Sequence, residues 1–176
     1  QMLALAGALQ ARGSSARILI RGEGTERAEL ERHVAEAGLA NVRFADLAPR
    51  EQIREAFSEG AVHLVPQNPE GAAFAVPSKV FSIMAAERPF IATANPGSPL
   101  DRLARASGGG LCVEPFDAEG LADAAEALLA EPARRLRMGS AGRSYVERRV
   151  DREVVCRAIW EALRGEELER VEQVDG

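Results

Sequence analysis

The sequence has little lysine, cysteine and aromatic character, and these shortages exclude several classes of protein. Lys79 is the only lysine among 22 lysine and arginine residues in a chain of 176. The two cysteines, Cys112 and Cys156, have no metal-ligand spacing and are too few for a disulfide framework, so we interpret them as small buried residues. No apolar run approaches the roughly 20 residues that span a bilayer.

The charge balance argues against a nucleic-acid-binding surface. The formal net charge is −5, and the arginines alternate with glutamates instead of clustering as phosphate binding requires. With 46% hydrophobic residues, the chain can bury one sizeable core. The reduced cysteines favour a cytoplasmic location.

The first residues are typical of a helix and not of a signal peptide. The chain begins with Gln1, and "QMLALAGALQARG" has no basic n-region. We therefore expect a piece of a longer protein, with one Rossmann-like domain over residues 1–164 and a charged tail over residues 165–176.

Short apolar runs alternate with helical patterns along the chain. The runs predict strands at residues 16–20, 41–45, 61–66, 89–93 and 110–114. Single helices between strands imply right-handed crossovers, so the predicted fold class is α/β: a doubly wound parallel sheet covered on both faces. From Asp117 onward the pattern is helical, with expected breaks near Pro132, Gly139 and Val150. Because a helix precedes the first strand, we expect the opening strand of the sheet to be missing.

Ligands of open parallel sheets bind beyond the carboxyl ends of the strands. After the first strand, Gly22 and Gly24 allow a tight turn before a helix that can face an anion, although a simple turn explains them as well. In the loop "PQNPEGAAF", Glu70 beside Gly71 can accept hydrogen bonds from sugar hydroxyls; the alternative is a solvated loop glutamate. The segment "TANPGSPLD" offers another anion-compatible helix start, which a helix cap alone also explains.

The lone lysine follows a segment that predicts the start of a helix. In "VPSKVF", Pro77 fixes the backbone and Ser78 is a candidate N-cap before Lys79. Lysine is a compact point charge, which suits a mobile diphosphate better than the planar arginine fork does. Chance survival in an arginine-rich composition is the alternative, and the residues alone leave both open. His33 and His63 have no partners that indicate a triad or a metal site, so we interpret both as structural.

Taken in order, these segments resemble the C-terminal, donor-binding domain of family 4 retaining glycosyltransferases of the GT-B fold. The resemblance covers residues 1 to about 163 and rests on "ILIRGEGTERAELE", "NVRFADLAPREQIREAFSEGAVHLVP", "VPSKVFSIMAAERPFIAT" and "GGGLCVEPFDAEGLADAAEALLAEP". The form "VPSKV...IMAAERP" is most similar to the WcaI-like and fucosamine-transferase-like branch, which builds bacterial surface polysaccharides on lipid-linked acceptors.

The resemblance implies a nucleotide-diphosphate sugar as donor, UDP-linked, with no further cofactor and no metal. It places Pro77, Ser78 and Lys79 at the donor diphosphate, where Lys79 would stabilise the departing group during hexosyl transfer with retention. Gly22 and Gly24 would lie near the nucleotide. The segment from Phe44 to Leu47 would approach the base.

The same resemblance implies roles for the loop and for the helix after Lys79, where the sequence departs from the pattern. Glu70 and Gly71 lie in the loop that contacts the donor sugar. Most members have a second glutamate, seven residues further on, that contacts the ribose; Ser82 stands at the position where we expect it, and the gap from Glu70 is too long. A serine hydroxyl would bind the ribose more weakly than a carboxylate. The usual glycine of "MAAGRP" is Glu87 here.

The resemblance also implies partners. An N-terminal acceptor domain in the same polypeptide would complete the cleft, so this chain by itself is expected to bind the donor without turnover. Contact with the inner face of the cell membrane, where the acceptor is lipid-linked, would come through that domain.

Two alternatives remain at this point. The first is a non-catalytic scaffold domain of the same fold, which Ser82 favours and which would bind no nucleotide. The second is a nucleotide-sugar 2-epimerase, which needs additional carboxylates and a histidine that the sequence does not cluster. A hydride-transferring dinucleotide enzyme is weaker still, because the third glycine of its fingerprint is not found after the first strand.

Overall fold

The strands lie where the apolar runs predict them, to within one or two residues. The structure is a computed structural model, which describes residues 1–68 and 75–164. In this part of the chain the strands are β1 (Ile18–Arg21), β2 (Val42–Ala45), β3 (His63–Pro66), β4 (Phe90–Thr93) and β5 (Gly110–Val113).

Helices connect the strands and follow β5. They are α1 (Met2–Ala11), α2 (Arg27–Glu36), α3 (Ile53–Glu59), α4 (Lys79–Ala85), α5 (Pro99–Ser107), α6 (Ala118–Ala130), α7 (Pro132–Arg149) and α8 (Arg152–Leu163). A 3-10 turn, Arg50–Gln52, precedes α3. None of the helices in the described ranges is both long and apolar enough to cross a membrane.

The predicted breaks at Pro132 and Val150 are confirmed, but the break at Gly139 is wrong. Gly139 lies inside α7. A Cβ at this position would lie 2.2 Å from the backbone oxygen of Glu87. The glycine therefore allows α7 to pack directly against the turn after α4 and does not end a helix.

All the strand pairs are parallel, as predicted. β1 pairs with β2 in the register Ile18 to Val42, and β4 lies between β3 and β5. Among the described residues, no hydrogen-bonded pair joins β1 to β3.

The core has two apolar clusters, which divide along β4. Ile91 belongs to a cluster with residues of α1 and α6, including Leu5, Leu9 and Leu128. Its neighbours Phe90 and Ala92 belong to a second cluster with residues of α4 and α5. Because successive residues of a strand point to opposite faces, helices cover both faces of β4. The predicted α/β class with helices on both faces is thus confirmed.

Glu87, which the sequence left unexplained, and the two cysteines, which it predicted to be buried, have clear structural settings. Glu87 has a φ of 55°, a left-handed conformation that glycine adopts without strain, which accounts for the glycine that the resemblance led us to expect here. Burial raises the pKa of the half-buried Cys112 to about 11. The expected burial of Cys156 is wrong, since this thiol lies exposed on α8, which has no buried residue. The tail, residues 165–176, lies outside the described residues.

Candidate functional site

The structure describes most of the predicted site residues. They lie in or just after three of the parallel strands. Gly22 follows β1, Phe44 and Leu47 lie at the end of β2, and the segment from Pro77 to Lys79 follows the loop after β3. Parallel strands direct their carboxyl ends to the same edge, where ligands of such sheets bind. Glu70 and Gly71, the residues expected at the donor sugar, lie outside the described residues.

The start of α4 presents polar residues to solvent. Ser78 occupies the N-cap position, but its side chain makes no capping hydrogen bond. Ser78, Lys79 and Ser82 are exposed, whereas Val80 and Ile83 are buried. The apolar side of α4 packs into the core and thereby directs the polar side outward.

Lys79 carries a positive charge without a carboxylate partner in the described ranges. No ion pair among residues 1–68 and 75–164 involves it, whereas many arginines pair with acidic side chains. Burial lowers the pKa of His63, and the positive charges of Arg88 and Lys79 lower it further. The Nε2 atom of His63 lies 2.8 Å from the carbonyl oxygen of Phe57, a contact within the protein that fits the structural role expected for this histidine.

A buried glutamine links the end of β3 to the segment that precedes Lys79. The backbone N–H of Gln67 donates to Oγ1 of Thr93 over 3.0 Å. The Gln67 side-chain amide donates to the carbonyl oxygen of Ala75 over 3.1 Å, and that of Gln1 donates to the Gln67 carbonyl over 3.0 Å. Gln67 therefore joins Ala75 to the ends of β3 and β4. Sequence reasoning missed Gln67 and Thr93, although a polar residue at or just after the end of a buried strand is a usable signal.

The turn after β1 requires glycine at one of its two glycine positions. Gly22 has a φ of 147°, outside the range that other residues readily adopt, and its N–H donates to the Ala45 carbonyl over 3.0 Å. Gly24 has no positive φ, and a Cβ there would meet no atom within 4 Å. Gly22 is therefore the glycine that joins the turn to the end of β2.

The end of β2 presents one apolar side chain to solvent. The Leu47 residue is 62% exposed, and Phe44 is half-buried three residues before it. An exposed leucine at the carboxyl edge provides an apolar surface on which a planar ring can pack.

The fourth strand end differs from the start of α4 because its polar groups are satisfied internally. Ser98 caps α5 by accepting a hydrogen bond from the N–H of Asp101 over 3.3 Å. The N–H of Gly97 donates to Asp101 Oδ2 over 2.8 Å and lowers the pKa of that carboxyl. These contacts favour the helix-cap interpretation of "TANPGSPLD".

Comparison with known proteins assigns the chain to a family. Residues 2–131 match the family described as glycosyl transferases group 1. The chain belongs to this family. A protein of Escherichia coli (strain K12) named as the colanic acid biosynthesis glycosyl transferase WcaI is 31% identical over 145 residues, which cover 82% of this chain and 35% of that protein.

Solved glycosyltransferases of the GT-B type have the same fold. Sucrose-phosphate synthase from Thermosynechococcus elongatus superimposes with a TM-score of 0.75 at 27% identity, over 92% of this chain and 41% of that one. HepE from Anabaena, in complex with UDP-glucose, superimposes with a TM-score of 0.73 at 17% identity, over 93% of this chain and 44% of that one. This group 1 chain thus spans less than half the length of each of these relatives.

Proposed function

We propose that this group 1 domain binds the donor of a family 4 retaining glycosyltransferase, a UDP-linked sugar. The observation that carries the proposal is the exposed Lys79 at the start of α4, which has no acidic partner in the described ranges. An unpaired cation beside a helix start is suited to a diphosphate. The complex of HepE with UDP-glucose supports the choice of donor, since a protein of the same fold holds that sugar nucleotide.

Lys79 has a chemical role in this proposal. When the bond from the anomeric carbon to the diphosphate breaks, negative charge develops on the departing oxygen. The Lys79 ammonium and the backbone N–H groups of Ser78 and Lys79, which follow Pro77, stabilise that charge. Ser82 is exposed one turn further along α4, on the same side of the helix as Lys79. In this proposal it hydrogen-bonds a ribose hydroxyl. Glu70 and Gly71 remain the residues predicted for the donor sugar.

The rest of the enzyme lies beyond this chain in the same proposal. A second domain supplies the acceptor, a lipid-linked or polysaccharide chain as in the WcaI-like and fucosamine-transferase-like branch, at the cytoplasmic side of the membrane. The lengths of the relatives support this division, since the chain covers 35% of WcaI and 44% of HepE. We expect the chain by itself to bind the donor without turnover.

Titration calorimetry of the full-length protein with UDP and with GDP tests the donor site. We expect saturable binding of one nucleotide, and we expect Lys79→Ala to weaken it by about tenfold, or roughly 1.4 kcal/mol. Arg32→Ala is the matched control, because Arg32 is an exposed cation on α2 whose two ion pairs within the described part of the chain are both longer than 3.7 Å. We expect the Arg32→Ala protein to bind like the wild type.

The same titration decides between the proposal and its main alternative. If the folded full-length protein binds neither nucleotide, the donor-binding proposal is wrong, and the non-catalytic scaffold favoured by Ser82 becomes the better account. Equal weakening by Lys79→Ala and Arg32→Ala would indicate a general effect of charge and would remove Lys79 from the site.

A further inference from the structure

Arg27 lies at a position that helix electrostatics disfavours. It is the first residue of α2, and the positive end of the helix dipole favours acidic residues in the first turn. Glu26 precedes it at the N-cap without a side-chain capping bond. The location of this cation therefore requires contacts beyond its own helix.

The Arg27 guanidinium contacts both of the neighbouring strand ends. Its Nη1 donates to the Gly22 carbonyl over 3.0 Å and to Asp46 Oδ1 over 2.7 Å. Its Nε donates to Glu31 on the same helix over 2.8 Å, and its Cζ lies 6.0 Å from the centre of the Phe44 ring. One side chain thus joins the turn after β1 to the segment after β2.

A second arginine fixes the same segment from the other side. Arg21 Nη1 donates to the Asp46 carbonyl over 2.9 Å, and its Nη2 lies 2.6 Å from Oε2 of Glu59 on α3. Asp46 is therefore bound through its carboxylate and through its backbone. Neither α2 nor β2 has a buried residue, so these charged contacts add to the backbone pairing of β1 with β2 in fixing the segment.

We propose that Arg27 and Asp46 form a positioning pair that fixes the segment from Phe44 to Leu47 and thereby sets which nucleobase the site accepts. This inference rests on the proposed function and on the prediction, implied by the family resemblance, that this segment faces the base of the donor. Nucleobases differ in the positions of their hydrogen-bonding groups, so a backbone segment can discriminate between them only when it is held in one place. The planar arginine fork holds two acceptors at once in fixed directions.

The test compares two nucleotides, because a general loss of structure weakens binding of both. The dissociation constants of UDP and GDP are measured by calorimetry on the full-length wild type and on Arg27→Gln, Asp46→Asn and Arg32→Gln. We expect the wild type to prefer one nucleotide. Arg27→Gln should reduce the ratio of the two constants by about tenfold, and Asp46→Asn by about threefold. Arg32→Gln, on the same helix, should leave the ratio unchanged.

Asp46→Asn and one further variant, Arg27→Lys, guard against an effect on folding or on charge alone. The Asp46 side chain is 78% exposed, so Asp46→Asn should fold like the wild type and decides the question if Arg27→Gln does not fold. Arg27→Lys keeps the charge but loses the fork, so we expect it to lose discrimination like Arg27→Gln. Full discrimination by Arg27→Lys would overturn the proposed geometry.

The remaining outcomes separate this inference from the proposed function. If the wild type binds UDP or GDP and the variants leave the ratio unchanged, or weaken both nucleotides equally, the positioning pair is wrong and the donor site stands. A wild type that binds both nucleotides equally well also overturns the pair. If the wild type binds neither, the donor site itself is wrong.

Discussion

The two strand groups of this protein are stabilised by different forces. All four residues of β4 are buried, and Ile83 and Leu100 in the same apolar cluster are fully enclosed. By contrast, α2 and β2 contain no buried residue, and surface arginines link them. β4 is thus fixed by packing, whereas β1 and β2, which contribute only Ile18 to the buried core, depend more on charged contacts.

This difference matches the chemistry proposed for each side. A diphosphate is common to many sugar nucleotides, and its proposed cation, Lys79, stands on a helix that packs into the rigid core. The base varies between donors, and its proposed segment depends on exposed side chains. Surface contacts can change by single substitutions at little cost in stability, whereas core packing cannot. We infer that donor specificity in this chain can change without disturbing the phosphate end.

The largest effect on stability should come from adding one carbon at Gly139, where α7 packs against the turn after α4. Gly139→Ala places a Cβ 2.2 Å from the backbone oxygen of Glu87, so α7 must move away from the turn after α4. We expect a loss of about 3 kcal/mol in the free energy of unfolding. Urea unfolding measures this free energy, and the amides of β4 should exchange hydrogen faster in the variant.

The control for this substitution is another helical glycine. A Cβ on Gly7, inside α1, would meet no atom within 4 Å. We expect Gly7→Ala to stabilise the protein by about 0.5 to 1 kcal/mol, because alanine favours the helix. If both substitutions had the same sign, the tight packing at Gly139 would not be what stabilises this side.

A smaller effect on stability, of opposite sign, should come from replacing Glu87 with glycine. This residue has a φ of 55° in the turn that Gly139 contacts. Glu87→Gly should raise the free energy of unfolding by about 1 kcal/mol, because glycine adopts the left-handed conformation without the steric cost of a Cβ. Thermal and urea unfolding measure the gain. Glu87→Gln keeps the strain and removes the charge, so a gain of the same size in that variant would assign the effect to charge.

Sequence predicts the strands well, because each is a short apolar run between helical patterns. The same reasoning misplaces Gly139, since a glycine that ends a helix and one that admits a neighbouring backbone look alike in one sequence. Their distinction depends on Glu87, which lies 52 positions earlier in the chain.

The site was predictable only in part for a related reason. The chemistry of Lys79 is visible locally, as the one lysine before an apolar run. Gln67 and Arg27 act through contacts with Ala75, Thr93 and Asp46, and these contacts form only when separate strand ends meet. Such long-range hydrogen bonds leave no periodic signal in the sequence.

The smallest expected effect is the response of hydrogen exchange to salt, and it tests the difference between the two strand groups most directly. The pairs Arg21–Glu59 and Arg27–Asp46 have partly exposed partners, so raising NaCl from about 0.05 M to about 1 M should screen them. The Gly22 amide, which donates to Ala45, should lose about 0.5 kcal/mol of protection against hydrogen exchange. The Ala94 amide, which donates to Val113 at the end of β4, is the matched probe and should keep its protection, because apolar packing is not screened. Equal changes at both amides would mean that the two strand groups share one source of stability, and would contradict the division between a packed phosphate end and a charge-linked base end.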